Sequence, residues 1–220
     1  MLLQKYVNNL MGSAKDIKIK LISSTSANLI VRRLHYSGKV APNSKLHFGV
    51  FYNDRLEGAL QFGSPIDKRK VLPIVKETKW NHMLELNRVA LSDRLPKNSE
   101  SRALSIVFKI IKKEYPFIEW ILTFADCTQC GDGTIYRASG FKLIEVLKNK
   151  TIVQLKTGEI VAKHGTANYD FTGSKPLAGY QIKYIYFLNK DAVKRLTKPI
   201  LDFSTLDKLG IGMYKGVLRG

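Results

Sequence analysis

The sequence predicts a mixed α/β fold, with a mostly antiparallel sheet that contains one parallel strand pair and is flanked by helices. Three stretches carry this expectation. "ELNRVALSDRLPKNSESRALSIVFKIIKKEYPFIEWILTFAD", Glu85 to Asp126, reads as strand, loop, helix and strand. A helix that joins two apolar strands crosses over and leaves them parallel neighbours. "KLHFGVFYNDRLEGALQFGSP" reads as an antiparallel hairpin of two aromatic-rich strands joined at Asn53-Asp54. "IEWILTFA", Ile118 to Ala125, is almost wholly apolar, which suits a central strand buried on both faces.

The remaining elements follow in order. "IKIKLIS" alternates apolar residues with Lys and predicts an amphipathic strand. "SSTSANLIVRRLHYSG" offers several N-caps, then Leu29, Ile30, Val31 and Leu34, then Gly38 as a stop. That is a helix closing at His35-Tyr36. From Ser99 to Glu114, Leu104, Val107, Phe108 and Ile111 fall on one helical face, and Pro116 ends it. "GDGTIYRASG" predicts a short helix stopped by Gly140, followed by a strand in "FKLIEVLK". "TIVQLKTGEIVAK" predicts a second hairpin around Thr157-Gly158, and "AGYQIKYIYFLN" a last strong strand. "LDFSTLDKLGIGMYKGVLRG" reads as irregular and basic. The chain carries no internal repeat or convincing linker. A single domain over 1–220 is expected, with residues 150–220 adding strands and a basic extension.

Charge is the strongest global signal. Thirty-six Lys and Arg against eighteen Asp and Glu give +18, spread along the whole chain. Such a balance favours a polyanion, because each phosphate contact releases counterions. A generally basic soluble protein is the plain alternative. No apolar run approaches the ~18 residues a membrane helix needs. The opening "MLLQKYVNNLMGSAKD" has too short an apolar stretch for a signal peptide. A cytoplasmic protein with no membrane partner is expected. Cys127 and Cys130 form a C-x-x-C pair in "DCTQCGDG". A structural zinc needs about four ligands, and no second C-x-x-C is present, so two incidental loop thiols are the simpler reading.

The element order resembles the GNAT fold, the scaffold of a large family of N-acetyltransferases. In that family a glycine-rich turn and the following helix N-terminus hold the pyrophosphate of acetyl-CoA, and the strand pair beside it splays. "GTIYRASGF", Gly133 to Phe141, resembles the GNAT segment in which a tyrosine acts as general acid, which places Tyr136 in that role. The turn departs from the pattern: "PKNSES" stands where glycines are usual. Glycines let backbone approach a phosphate and adopt positive φ. An anion site nevertheless remains open here. Asn98 or Ser99 can cap the helix, Ser101 lies in its first turn, and Lys97 and Arg102 add positive charge. A plain helix cap is the alternative.

The blocks "HYSG", "FGVFYNDRLEGALQFG", "ELNRVAL", "PKNSESR" and "FAD…GTIYRASGF" together resemble the Mom family of bacteriophage DNA-modification proteins. These GNAT-like proteins convert adenine in DNA to N6-carbamoylmethyladenine and so protect phage DNA from restriction. The resemblance covers roughly residues 30–145. It implies double-stranded DNA as partner, a bacterial host cytoplasm as setting, and His35, Tyr36, Asp126 and Tyr136 as active-site positions.

The chemistry gives each of these a role and a plain alternative. The adenine amine is a poor nucleophile, and its base must leave the stack before it reacts. A helix C-terminus favours a protonated His35, or His35 simply caps its helix. Asp126 ends the buried strand, where α/β sheets place their sites, or it caps the next helix. Tyr136 is an acid or a core residue. In "ELNR" Glu85 and Asn87 share one strand face, so Glu85 is a base or substrate anchor, or half of an ion pair. Arg88 and Arg102 suit an anionic donor or a DNA phosphate. His35, Tyr36 and Asp126 also form an oxygen- and nitrogen-rich set that iron accepts. The donor expected is an acyl-CoA or an aminoacyl-tRNA, glycyl-tRNA carrying the right two carbons and nitrogen. Two other functions stay open: an N-acyltransferase acting on a protein or small amine, and a non-enzymatic DNA-binding protein on the same scaffold.

Overall fold

A computed structural model describes residues 12–128, 131–163 and 169–211, and the backbone of 213–214 and 217–218. The chain gathers into two compact units. One comprises Met1–Ile121 with Phe187–Arg195, the other Leu122–Tyr186 with Leu196–Gly220.

In the first unit the strands are β1 (Lys18–Leu21), β2 (Ser44–Tyr52), β3 (Arg55–Gly63) and β4 (Met83–Leu91), hydrogen-bonded in that order. β1, β2 and β3 pair antiparallel, as do β3 and β4. The β2–β3 hairpin turns at Asn53 and Asp54, with φ of 48° and 58°. Positive φ at both central residues marks the tight turn whose twist matches the strands, and Asn and Asp tolerate it best after Gly. Helix α1 (Ser24–Leu34) starts where Ser23 Oγ accepts the Ser26 N–H. Its Ala27, Ile30 and Val31 are buried against Ala59 of β3 and Ala90 of β4. Small residues on the sheet let the helix approach closely. Between β3 and β4 lies a short helix, α2 (Lys68–Val71), which the sequence reading did not anticipate. Helix α3 (Ser99–Glu114) buries Leu104, Val107, Phe108 and Ile111, the expected stripe, together with Ala103. It leads into β5 (Trp120–Asp126), whose start lies parallel to β4, as the crossover requires.

In the second unit the rest of β5 is followed by α4 (Thr134–Ala138), β6 (Lys142–Lys148) and a three-stranded sheet of β7 (Ile152–Gln154), β8 (Ile160–Ala162) and β9 (Lys175–Pro176). β10 (Tyr180–Phe187) lies between β5 and β6 and pairs antiparallel with β6. The hairpin at Thr157-Gly158 forms as expected, with Gly158 at φ 86°. The C-terminal stretch is more ordered than its composition suggested. Asp202 accepts the Ser204 N–H at 2.8 Å and Leu206 is buried, which starts and anchors α5 (Ser204–Lys208). The backbones of 213–214 and 217–218 pair as a small hairpin, β11 and β12. No helix among the described residues is long and apolar enough to cross a membrane.

The fold class is as the sequence predicted: mixed α/β, mostly antiparallel, with one parallel pair and flanking helices.

Candidate active site

The first unit assembles a polar cluster from the end of α1 and the middle of β4. His35 caps α1 through its backbone N–H, which donates to the Val31 carbonyl. Its ring lies 4.3 Å from that of Tyr36, centroid to centroid, and Tyr36 is exposed. The Ser37 backbone N–H donates to His35 Nδ1 at 3.2 Å, and Ser37 Oγ lies 2.8 Å from the same nitrogen. An amide N–H can only donate, so Nδ1 is the acceptor and a neutral ring carries its proton on Nε2. Burial, with the Arg88 guanidinium adding repulsion, lowers the His35 pKa to about 4.

The expectation of a cationic His35 is therefore corrected. The helix C-terminus favours a positive charge by ~1 kcal/mol, and desolvation beside an arginine outweighs it. At neutral pH His35 is a hydrogen-bond donor through Nε2 with no charge of its own.

Glu85 and Asn87 meet on β4 where the ladder bulges, Asn87 being the extra residue between Leu86 and Arg88. Asn87 Nδ2 donates to Glu85 Oε1 at 3.1 Å, and Ser44 Oγ of β2 donates to Asn87 Oδ1 at 2.9 Å. Burial raises the Glu85 pKa to about 6, against the opposing pull of the Asn87 amide and Arg88. Arg88 is held from two sides: Nε donates to the Lys39 carbonyl at 2.9 Å and Nη1 to the Asn87 carbonyl at 2.7 Å. Arg88 thus depresses both His35 and Glu85 from one fixed position.

Sequence reasoning missed a neighbouring set. Gln61 of β3 sits between His47 of β2 and Arg88 of β4 in the strand register. It is fully buried. Gln61 Nε2 donates to Asn28 Oδ1 of α1 at 2.8 Å and lies 3.4 Å from His47 Nδ1. Its Oε1 has no hydrogen-bond partner among the described residues, and an unsatisfied buried acceptor costs about 1–3 kcal/mol. The signal was present in the sequence. A Gln between Leu60 and Phe62, in the buried part of its strand, had to find polar company on one face.

The turn before α3 replaces glycine in an unexpected way. Asn98 takes φ 70°, the left-handed conformation that a glycine-rich turn uses. Its side chain makes no capping hydrogen bond, contrary to one of the two caps expected. Ser99 is fully buried and its Oγ donates to the Pro96 carbonyl at 2.6 Å, so that hydroxyl faces the loop. Ser101 Oγ donates to the Asn98 carbonyl at 3.2 Å, and the Arg102 N–H reaches the same carbonyl at 3.1 Å.

In the second unit, Asp126 ends β5 and folds the chain behind it. Asp126 Oδ1 accepts the Thr128 N–H at 3.0 Å and Thr128 Oγ1 at 2.7 Å. The capping alternative is thus real, although it serves a turn and not a helix. Tyr136 of α4 packs against Phe141 and Tyr184, with ring centroids 5.4 and 5.6 Å away. Gly133, at φ 76°, precedes α4; a Cβ there would lie 2.7 Å from Tyr184 Cε2 and 2.9 Å from Tyr136 Cδ2. The Tyr184 hydroxyl donates to the Asp132 carbonyl, and burial raises its pKa. Cys127 is a thiol; Cys130 lies outside the described residues. Among the described residues no three His, Cys, Asp or Glu side chains gather as a metal site.

Comparison with known proteins places these features. The Mom protein family model matches residues 16–205. Methylcarbamoylase mom of Escherichia phage Mu is 36% identical over 205 residues, covering 87% of this chain and 84% of its own. Solved structures of similar shape include FeeM, an N-acyl amino acid synthase from uncultured soil microbes, with 14% identity, a TM-score of 0.49 and coverage of 82% of this chain and 95% of its own. A probable acetyltransferase from Staphylococcus epidermidis is also similar, with 14% identity, a TM-score of 0.47 and coverage of 78% and 98%. The match over 190 of 220 positions extends well past the blocks near 30–145 that carried the sequence resemblance. The chain belongs to the Mom protein family.

Proposed function

We propose that this chain is a transferase that converts adenine in DNA to N6-carbamoylmethyladenine. The observation that carries the reading is the Mom family match over residues 16–205, joined to a cluster with one base and one neutral donor. A reaction at the adenine amine needs a group to accept a proton and a group to bind developing negative charge. Glu85, with a pKa near 6, is ionised at neutral pH yet basic enough to take a proton. His35 donates a hydrogen bond through Nε2–H as a neutral ring, and that N–H is too weak an acid to give its proton up. Arg88 positions both by its fixed charge. Asp126 and Tyr136, in the second unit, are further candidates, the first as an acceptor and the second as a proton donor. The +18 balance serves the DNA backbone.

The donor of the two-carbon unit is an activated carboxyl compound, either an acyl-CoA or a glycyl-tRNA: the adenine amine displaces the thiol or the tRNA hydroxyl and forms an N6–C(O) amide, and a rearrangement of that isomeric glycyl adduct must follow to give the N6–CH2 bond of the carbamoylmethyl product. The αL backbone at Asn98 and the cationic Arg102 suit an anion at the start of α3. The buried Ser99 hydroxyl is not part of that contact. The two donors are separated by ribonuclease treatment of a reconstituted reaction. Loss of product assigns the tRNA; unchanged product that requires added CoA ester assigns the thioester.

The family-level reading is tested by digesting plasmid DNA from cells that express the chain with endonucleases whose sites contain adenine. Protection that disappears in Glu85→Gln supports it. Full cleavage with soluble protein present favours an N-acyltransferase acting on a protein or small amine.

A further inference from the structure

The segment from Ile66 to Asn81 lies between β3 and β4, and the cluster described above uses none of it. It holds Lys68, Arg69, Lys70, Lys76 and Lys79 against Asp67 and Glu77. Asp67 is already engaged by Lys70 at 3.1 Å. The segment also exposes two large apolar side chains, Ile66 at 73% and Trp80 at 54%.

Trp80 is held in place. The Lys68 ammonium sits 5.0 Å from the centre of its ring and donates to Asn81 Oδ1 at 3.1 Å. Lys68 is itself buried, an unusual position for a lysine, and it forms no ion pair among the described residues. Burial and the nearby Lys45 charge lower its pKa. The loop is braced from below as well. Thr78 Oγ1 donates to the Val75 carbonyl at 2.7 Å and accepts the indole N–H of the buried Trp120 at 3.0 Å. The Lys76 N–H donates to the Arg195 carbonyl, and Arg195 returns a bond to the Lys76 carbonyl at 2.8 Å. Arg195 is fixed in turn by Glu119 at 2.6 Å.

The segment thus presents an exposed indole beside the Lys68 ammonium, with Arg69, Lys70, Lys76 and Lys79 on the same stretch of chain. A nucleic-acid strand supplies phosphates for the cations and base or sugar faces for the ring. An acidic protein would satisfy the lysines and leave the indole without a matching group.

We propose that the Ile66–Asn81 segment is a DNA contact surface, with the lysines and Arg69 on phosphates and Trp80 stacked on a base exposed when the duplex opens. This rests on the DNA-modifying reading above. Withdrawing one adenine leaves an orphan partner and unstacked neighbours, and a rigid aromatic plane stabilises such bases.

The chain has two tryptophans, Trp80 exposed and Trp120 buried, so intrinsic fluorescence reports directly on the segment. The experiment titrates the full chain with a duplex carrying one unpaired base, a fully paired duplex, and tRNA. Quenching by DNA, strongest with the unpaired base and absent in Trp80→Phe, is the expected result. Trp80→Ala should weaken binding to the unpaired-base duplex by about 5- to 100-fold, the usual range for one stacked base. Lys76→Ala with Lys79→Ala should reduce the salt slope of log K by roughly 2. DNA that binds without quenching, or a Trp80→Ala variant that binds as tightly, overturns the proposal. Quenching by tRNA alone overturns it in favour of an RNA contact. Adenine modification is scored in parallel on the same variants, so a wild-type chain that never modifies DNA fails the functional reading separately.

Discussion

The Ser37 backbone N–H points at His35 Nδ1, 3.2 Å away, and this one contact sets what His35 can do. It assigns the ring proton to Nε2 and makes the imidazole a donor. Together with burial beside Arg88 it removes His35 from the acid–base role that histidine usually fills near pH 7.

The pH dependence of the rate should therefore come from a carboxylate. Glu85 must be ionised to accept a proton, so activity falls as pH drops through about 6. Initial rates of adenine modification from pH 5 to 8.5 should show that limb, and Glu85→Gln should abolish activity with the fold intact. Arg88→Gln removes a charge that lowers both groups, so any residual activity should show the limb at higher pH.

Stability carries the opposite signatures of the same two groups. His35 has a folded pKa depressed from 6.5 to about 4, so the unfolded chain binds its proton first as pH falls. The native state then loses about 3 kcal/mol between pH 6.5 and 4. Glu85 has a folded pKa raised from 4.5 to about 6, so it destabilises the fold as pH rises through that window, by about 2 kcal/mol. Urea melts should show His35→Asn less acid-sensitive than the wild type. At pH 7.5, Glu85→Gln should be more stable than the wild type.

Gly133→Ala should unseat Tyr136. The added methyl meets Tyr184 and Tyr136 within 3 Å, at a φ that L-residues avoid. A loss of about 2–3 kcal/mol is expected, with the rate falling too. Tyr136→Phe retains the ring contacts to Phe141 and Tyr184, so it should stay folded while its rate falls.

The turn before α3 offers a test of backbone against side chain. Asn98 makes no side-chain cap, so Asn98→Gly should leave stability within about 1 kcal/mol of wild type, whereas Asn98→Val, strained at φ 70°, should cost about 1–2 kcal/mol or more. Equilibrium denaturation of the two variants distinguishes these cases.

Most of the fold was legible because its signals are local. The β2–β3 turn needs two residues that tolerate positive φ, and Asn53-Asp54 stand there. The stripe from Leu104 to Ile111 could only be one face of a helix. The electrostatics of the candidate residues were less legible. Nothing in "HYSG" shows that Arg88, more than fifty residues on, lies close enough to keep His35 neutral. The Gln61–Asn28 bond joins a strand to a helix across 33 positions, a pairing that only the folded chain reveals. The order at α5 rests on Asp202 turning the chain and Leu206 finding a buried position, which composition alone could not indicate.

The most direct measurement is nucleoside mass spectrometry of plasmid DNA from bacteria expressing this chain, beside an Asp126→Ala control. A deoxyadenosine heavier by a carbamoylmethyl group, present with the wild-type chain and absent with the control, is the expected result. Unmodified deoxyadenosine from cells that hold soluble wild-type protein would contradict the assignment of this chain as a DNA adenine transferase.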